Sequence, residues 1–143
     1  MLAQLIEDII VIDDDPIQHF VFKKLIFKID SKISLRSFFN GEEALFFLKK
    51  KVLGNSENRI SLIFLDLNMP KMDGFGFLEE YRMLHQDLKS KNRVVILTSS
   101  IRNNDRILVL DFRELNGYYA KPISLDLLKK VINGLIANSV QEL

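Results

Sequence analysis

The run Ser61-Leu62-Ile63-Phe64-Leu65-Asp66-Leu67-Asn68-Met69-Pro70-Lys71-Met72-Asp73-Gly74 sets the terms for the whole chain. Leu62 to Leu65 is apolar without alternation, as in a strand buried on both faces. It stops at a carboxylate, Asp66, and Leu67 to Gly76 then reads as loop because of Pro70, Gly74 and Gly76. The same event recurs along the chain. Ile9-Ile10-Val11-Ile12 stops at Asp13-Asp14-Asp15, Val94-Val95-Ile96-Leu97 at Thr98, and Gly117-Tyr118-Tyr119-Ala120 at Lys121-Pro122. Ile33 to Phe38 reads as a further strand.

Helical patterns fill the gaps. Asp15-Pro16 is an N-cap and first-turn pair, followed by a stripe of Ile17, Phe20, Val21, Leu25 and Ile29. Asn40-Gly41-Glu42-Glu43 opens a second helix with acids in its first turn, and Lys49-Lys50-Lys51 reads as its solvated end. Leu53 to Arg59 is polar and contains Gly54 and Asn55, so it reads as a loop. Phe77, Leu78, Tyr81, Leu84 and Leu88 mark a third helix, and Asp105 to Arg113 a short fourth. Ser124 caps a fifth, whose stripe is Leu128, Val131, Ile132, Leu135 and Ile136. Five strand–helix units in alternation predict an α/β fold, a parallel sheet with helices on both faces. In such folds the site lies beyond the carboxyl ends of the strands.

The 143 residues suit one domain over residues 1–143, with its core at about residues 7–138. A net charge of +1 gives no field that argues for nucleic acid or a membrane surface. The absence of cysteine excludes disulfides, thiolate metal sites and a cysteine nucleophile. The N-terminus, MLAQLIEDIIVIDDDP, lacks the basic leading region of a signal peptide, so a soluble cytoplasmic protein is expected.

Under the parallel-sheet reading, Asp13, Asp14, Asp66, Thr98 and Lys121 converge. Clustered carboxylates repel unless a cation neutralises them, and oxygen ligands suit a hard ion such as Mg²⁺. A lysine holds an anionic oxygen as a point charge, and a threonine hydroxyl donates to another. A carboxylate nucleophile, a metal, a cation and a hydroxyl are the parts phosphoryl transfer needs. Singly, each residue has a plainer reading: a solvated turn, a helix cap, a strand end, half-buried sheet packing for Tyr118. Their joint order reverses that.

The stretches IIVIDDDP, IFLDLNMPKMDGFGFL, VVILTSS and YYAKP resemble the receiver domains of two-component response regulators, from about Ile9 through the last helix. The resemblance implies a flavodoxin-like, doubly wound (βα)5 fold with strand order 2-1-3-4-5. It makes Asp66 the phospho-acceptor and gives Mg²⁺ the ligands Asp14, Asp66 and the backbone carbonyl of Asn68, supported by Asp13. Lys121 would contact the phosphoryl group, Thr98 would move toward it, and Tyr118 would be the aromatic that turns inward. It also implies a cis Lys121–Pro122 bond. The acidic pair is taken as Asp13 and Asp14, which directly follow the strand, leaving Asp15 as the cap.

The implied donor is a histidine kinase or a histidine phosphotransfer protein. The implied output is contact with a downstream protein through the fourth helix, fifth strand and fifth helix, without nucleic acid or membrane. The chain reads as a stand-alone receiver and not a conventional enzyme, since it would catalyse only its own phosphorylation and dephosphorylation. The alternatives are a phosphorylation-independent binding module and a haloacid-dehalogenase-type phosphatase. The second wants an acid two residues after its nucleophile, where this chain has Asn68. The chain departs from the family at Arg113-Glu114-Leu115-Asn116, where a Gly-Ala pair is usual, and at Leu110. Asn68 and Ser100 occupy positions that tune dephosphorylation in the family. His19 and His85 read as surface helix residues; His19 could lie near the acidic pocket, but no metal-binding spacing gives it a role, and the phenylalanines read mostly as core, including Phe38-Phe39 and Phe46-Phe47.

Overall fold

The structure, a computed structural model, describes residues 2–51, 59–99 and 103–141. A 3-10 turn (Leu2–Gln4) leads into β1 (Ile6–Ile12), α1 (Pro16–Ile29), β2 (Leu35–Phe38) and α2 (Gly41–Lys50). Then come β3 (Ile60–Leu65), α3 (Gly74–Arg82), α4 (Gln86–Lys89) and β4 (Asn92–Thr98). The chain continues through α5 (Asn103–Leu110), β5 (Leu115–Ala120) and α6 (Leu125–Gln141). The strands pair in parallel as one five-stranded sheet in the order β2-β1-β3-β4-β5. This is the flavodoxin-like, doubly wound arrangement that the resemblance implied.

The apolar runs are strands because both of their faces are covered. Ile9, Val11, Leu62, Phe64, Val95 and Leu97 pack with Phe22 and Ile26 of α1 and with Leu128 and Ile132 of α6. Their neighbours Ile10, Ile12, Ile63, Leu65, Val94 and Ile96 pack with Leu45 of α2, Phe77 and Leu78 of α3 and Val109 of α5. Two cores therefore sandwich one sheet, and a slip of one residue in any strand would exchange them. The register aligns the strand ends, with Ile12 opposite Leu65, Leu65 opposite Ile96 and Thr98 opposite Ala120.

Several local expectations need correction. The second strand begins at Leu35, leaving Ile33 in the preceding turn. Gly74 and Gly76 are helical, because Asp73 caps α3 by accepting from the Gly76 N–H at 2.9 Å. The third helix stops at Arg82, and Leu88 lies on the separate turn α4, capped by the side chain of His85. Helical spacing runs on through Leu84 and Leu88, which hides the break. α5 spans Asn103–Leu110 where Asp105 to Arg113 was expected, and β5 starts at Leu115, earlier than Gly117.

The stripe expected of α1 holds only for Leu25 and Ile29, which pack partly buried against the core. His19, Phe22 and Ile26 are buried, whereas Ile17, Phe20 and Val21 are exposed. This helix is apolar nearly all round, so spacing alone does not choose its inward side. Phe20, Phe27, Phe39 and Phe46 are likewise exposed. Lys51 is not a solvated helix end. Its ammonium donates to Ser61 Oγ at 2.6 Å and lies 3.4 Å from Asp8 and 3.5 Å from Glu7. Asp8 is itself buried and accepts from Arg36 Nε at 3.0 Å. The loop around Gly54 and Ser100 lie outside the described residues.

Candidate functional site

Main-chain bonds place the residues that end the strands. The N–H of Asp13 donates to Phe38 O at 3.0 Å, that of Asp66 to Ile12 O at 2.9 Å and that of Lys121 to Thr98 O at 2.9 Å. Each of these three residues is thus the last one still held by the ladder, which fixes its Cα while freeing its side chain to leave the sheet. Three close approaches refine the position. The Asp15 N–H donates to Asp13 Oδ1 at 2.9 Å, while the Asp15 side chain accepts from the Ile17 N–H at 2.9 Å as the cap of α1. Gly74 presses the start of α3 onto the acidic loop, its N–H donating to Leu67 O at 2.9 Å. A Cβ on Gly74 would lie 2.6 Å from Asp66 O and 2.8 Å from Leu67 Cα, so only glycine fits.

Asp13, Asp14 and Asp66 each offer a carboxylate oxygen, and these oxygens lie within 4.8 Å of one another. Asp13 and Asp66 are buried and Asp14 is exposed. The Lys121 ammonium sits 2.6 Å from Asp13 Oδ2 and 3.5 Å from Asp66 Oδ2. One lysine therefore compensates two buried carboxylates. Burial pushes the Asp66 carboxyl above the ordinary aspartate range, Lys121 opposes that rise and Asp13 adds to it. The Asn68 backbone N–H also lowers it, yet Asp66 Oδ1 is buried without a completed hydrogen bond among the described residues.

These observations fit a divalent cation. The pocket has negative charge in excess, one orphaned buried oxygen and only oxygen donors, which hard ions such as Mg²⁺ prefer. Among the described residues no other group of three or more acidic or histidine side chains has this spacing.

The remaining expected residues surround the cluster at different depths. Thr98 is fully buried at the tip of β4. Tyr118 lies two residues below the tip of β5, opposite Ile96, half-buried against the core that faces α2 to α5. The period of the strands puts Thr98 and Tyr118 on the same sheet face. Burial raises the Tyr118 pKa, nearby Asp105 adds to the rise, and the Arg106 guanidinium stands 5.9 Å from the ring. Asn68 is exposed two residues past Asp66. The Lys121–Pro122 bond is cis.

One residue was misread. His19 is buried, and its Nε2 donates to the backbone carbonyl of Asp13 at 2.7 Å, with the ring 4.4 Å from that of Phe39. It ties α1 to the acidic turn. Its place four residues past the cap, one turn into the helix, was the available signal, and the apolar surroundings concealed which way it faced.

The response regulator receiver domain family matches residues 9–133. The chain is 35% identical over 96 residues to the response regulator Rcp1 of Synechocystis, a match covering 67% of this chain and 63% of that protein. It is 28% identical over 129 residues to the osmosensing histidine protein kinase SLN1 of Saccharomyces cerevisiae, covering 90% of this chain and 10% of SLN1. The chain thus spans less than two thirds of either relative. A response regulator receiver protein from Dyadobacter fermentans superposes with a TM-score of 0.76 at 25% identity, covering 89% of this chain and 95% of that one.

Proposed function

This chain belongs to the family of response regulator receiver domains of two-component signalling, and from that premise we propose that Asp66 is its phospho-acceptor, in a single domain over residues 1–143. The observation that carries the proposal is Lys121, 2.6 Å from Asp13 and 3.5 Å from Asp66 beside the three-aspartate cluster. A histidine kinase or histidine phosphotransfer protein supplies the phosphoryl group. An Asp66 carboxylate oxygen forms the new bond to phosphorus as the donor nitrogen's bond breaks, and the donor keeps the electron pair.

Receiver domains generally bind Mg²⁺ at an acidic pocket, and Asp13, Asp14, Asp66 and the Asn68 carbonyl are the residues that would hold it here. When bound, that ion neutralises charge on the phosphoryl oxygens. Lys121 is the side chain within reach of a phosphoryl oxygen on Asp66, and it must loosen its grip on Asp13 to take it. Thr98 donates its hydroxyl to a second oxygen, and Tyr118 turns inward on the same sheet face as Thr98 moves.

The output is a change in the surface of α5, β5 and α6, read by a downstream protein. Exposed Ile107, Leu108 and Leu110 on α5 give that surface apolar contact area. Among the described residues no helix is long and apolar enough to cross a membrane, and we place the domain in the cytoplasm. The test is incubation with acetyl phosphate, or with beryllofluoride, in the presence of Mg²⁺. The wild-type chain should gain mass or shift its spectrum and Asp66→Asn should not. An identical response from the two proteins would sink the proposal.

A further inference from the structure

At the end of the sheet opposite the acidic cluster, a cleft of about 480 Å³ opens between α4, the start of β4 and the segment entering β5. Its walls include Tyr81, Lys89, Asn92, Arg93, Arg113 and Glu114. Three cations thus face one acid. Arg93 is buried, and its Nη1 donates to Ser90 O at 3.0 Å and Asn92 O at 2.9 Å, so the guanidinium is held in place. Lys89 is steadied by donation to Arg82 O at 2.9 Å.

Two buried polar groups line the same cleft. Tyr81 is 1% exposed, and burial pushes its hydroxyl pKa up to about 12, so at neutral pH it keeps its proton. Asn92 is 5% exposed, and its side-chain nitrogen is buried without a hydrogen bond of good geometry. That nitrogen lies close enough to the Tyr81 hydroxyl to pull the phenol pKa down.

The backbone is adapted here too. The pairing of β4 with β5 shifts between Val94 and Val95, and Asn116 Oδ1 accepts from the Val94 N–H at 2.9 Å in place of a ladder partner. The irregularity keeps the Asn116 side chain on β4 and lets Arg113 and Glu114 form the rim.

We propose that this cleft is a binding site for a small phosphate ester, its phosphate held by Arg113 and Lys89 beside the fixed guanidinium of Arg93. The lining is dominated by donors and carries net positive charge, which matches a dianion with several acceptor oxygens. The cleft is larger than a bare phosphate needs and falls in the size range of small-molecule sites, so it leaves room for an organic part. Glu114 stands on the rim as the one repulsive element.

The test is an NMR titration of the full chain, without Mg²⁺, with glucose 6-phosphate, inorganic phosphate and succinate as separate probes. Glucose 6-phosphate should shift the Asn92 side-chain amide and the backbone of residues 113–116 saturably, and bind at least several-fold tighter than the other two. Arg113→Gln, at an exposed position, should weaken it about tenfold, and Glu114→Gln should tighten it. Asp66→Asn should leave it unchanged. No saturable shift at these residues, equal binding of phosphate or succinate, effects of the same sign from the two rim variants, or loss of binding in Asp66→Asn would each overturn the proposal. The last outcome would place the anion in the acidic pocket. Failure here leaves the reading of Asp66 untouched, since the cleft shares no residue with it.

Discussion

Asp66 carries opposite demands. Burial raises its pKa from an ordinary value of 3.8, so the folded chain holds its proton to higher pH than the unfolded chain. Between 3.8 and the folded pKa the native state binds more protons, and stability falls as pH rises through that window. Above it the ionised carboxylate costs stability in full. In metal-free protein at pH 7, Asp66→Asn should therefore unfold at a higher temperature than wild type, with the gap closing as pH falls toward 3.8. Added Mg²⁺ should reverse the order by stabilising wild type by about 2.7 kcal/mol at a hundred times its dissociation constant, with little effect on the variant. Thermal melts in chelator and in Mg²⁺ decide this, and a wild type that is more stable than the variant in chelator at pH 7 contradicts it. The place of Asp66 at a strand end was legible from residues alone, because an apolar run that ends at one carboxylate is easy to see. The partner that tunes it, Asp13, was separable from Asp14 and Asp15 only by counting from the strand end. The tether from His19 was not legible, since a histidine among apolar neighbours reads the same inside or outside.

At the scale of elements, α3 begins where the acidic loop permits. Adding one methyl at Gly74 drives it into the backbone of Asp66 and Leu67, and Gly74→Ala should cost about 1–3 kcal/mol. It should also weaken Mg²⁺ binding, because the displaced backbone carries Asp66. Denaturant melts and a metal titration check both, and unchanged metal affinity would show that the loop absorbs the strain. Helix α1 tests the corrected face. Phe22 contacts the core and packs 5.0 Å, ring to ring, from Phe64, so Phe22→Ala should cost about 3–5 kcal/mol. Phe20 is 61% exposed, so Phe20→Ser should change stability by no more than about 0.5 kcal/mol. Equal losses in denaturant melts would mean the helix is turned the other way. Its face was not legible because Ile17, Phe20 and Val21 satisfy helical spacing as well as Phe22 and Ile26 do. The break between α3 and α4 was hidden for the same reason.

Across the whole molecule, the architecture was legible because a parallel sheet gathers the carboxyl ends of its strands, and every strand end here announced itself. The opposite end was not. Asp8 binds Arg36, Lys51 and Ser61 from 28, 43 and 53 residues away, and no local spacing foretells such a network. β3 lies in the middle of the sheet with all six of its residues buried. Its amides should be the slowest in the protein to exchange with deuterium, opening only when the chain unfolds globally. β2 is an outer strand of four residues, none of them fully buried, and it should exchange first among the strands. Mass-resolved exchange that finds β3 no slower than β2 would refute this. Asp66 thus follows directly on the central, wholly buried strand, while Tyr118 lies on an outer one whose residues are all partly open to water. The proposed chemistry is anchored where exchange should be slowest, and the surface proposed to report it is built where the protein should breathe.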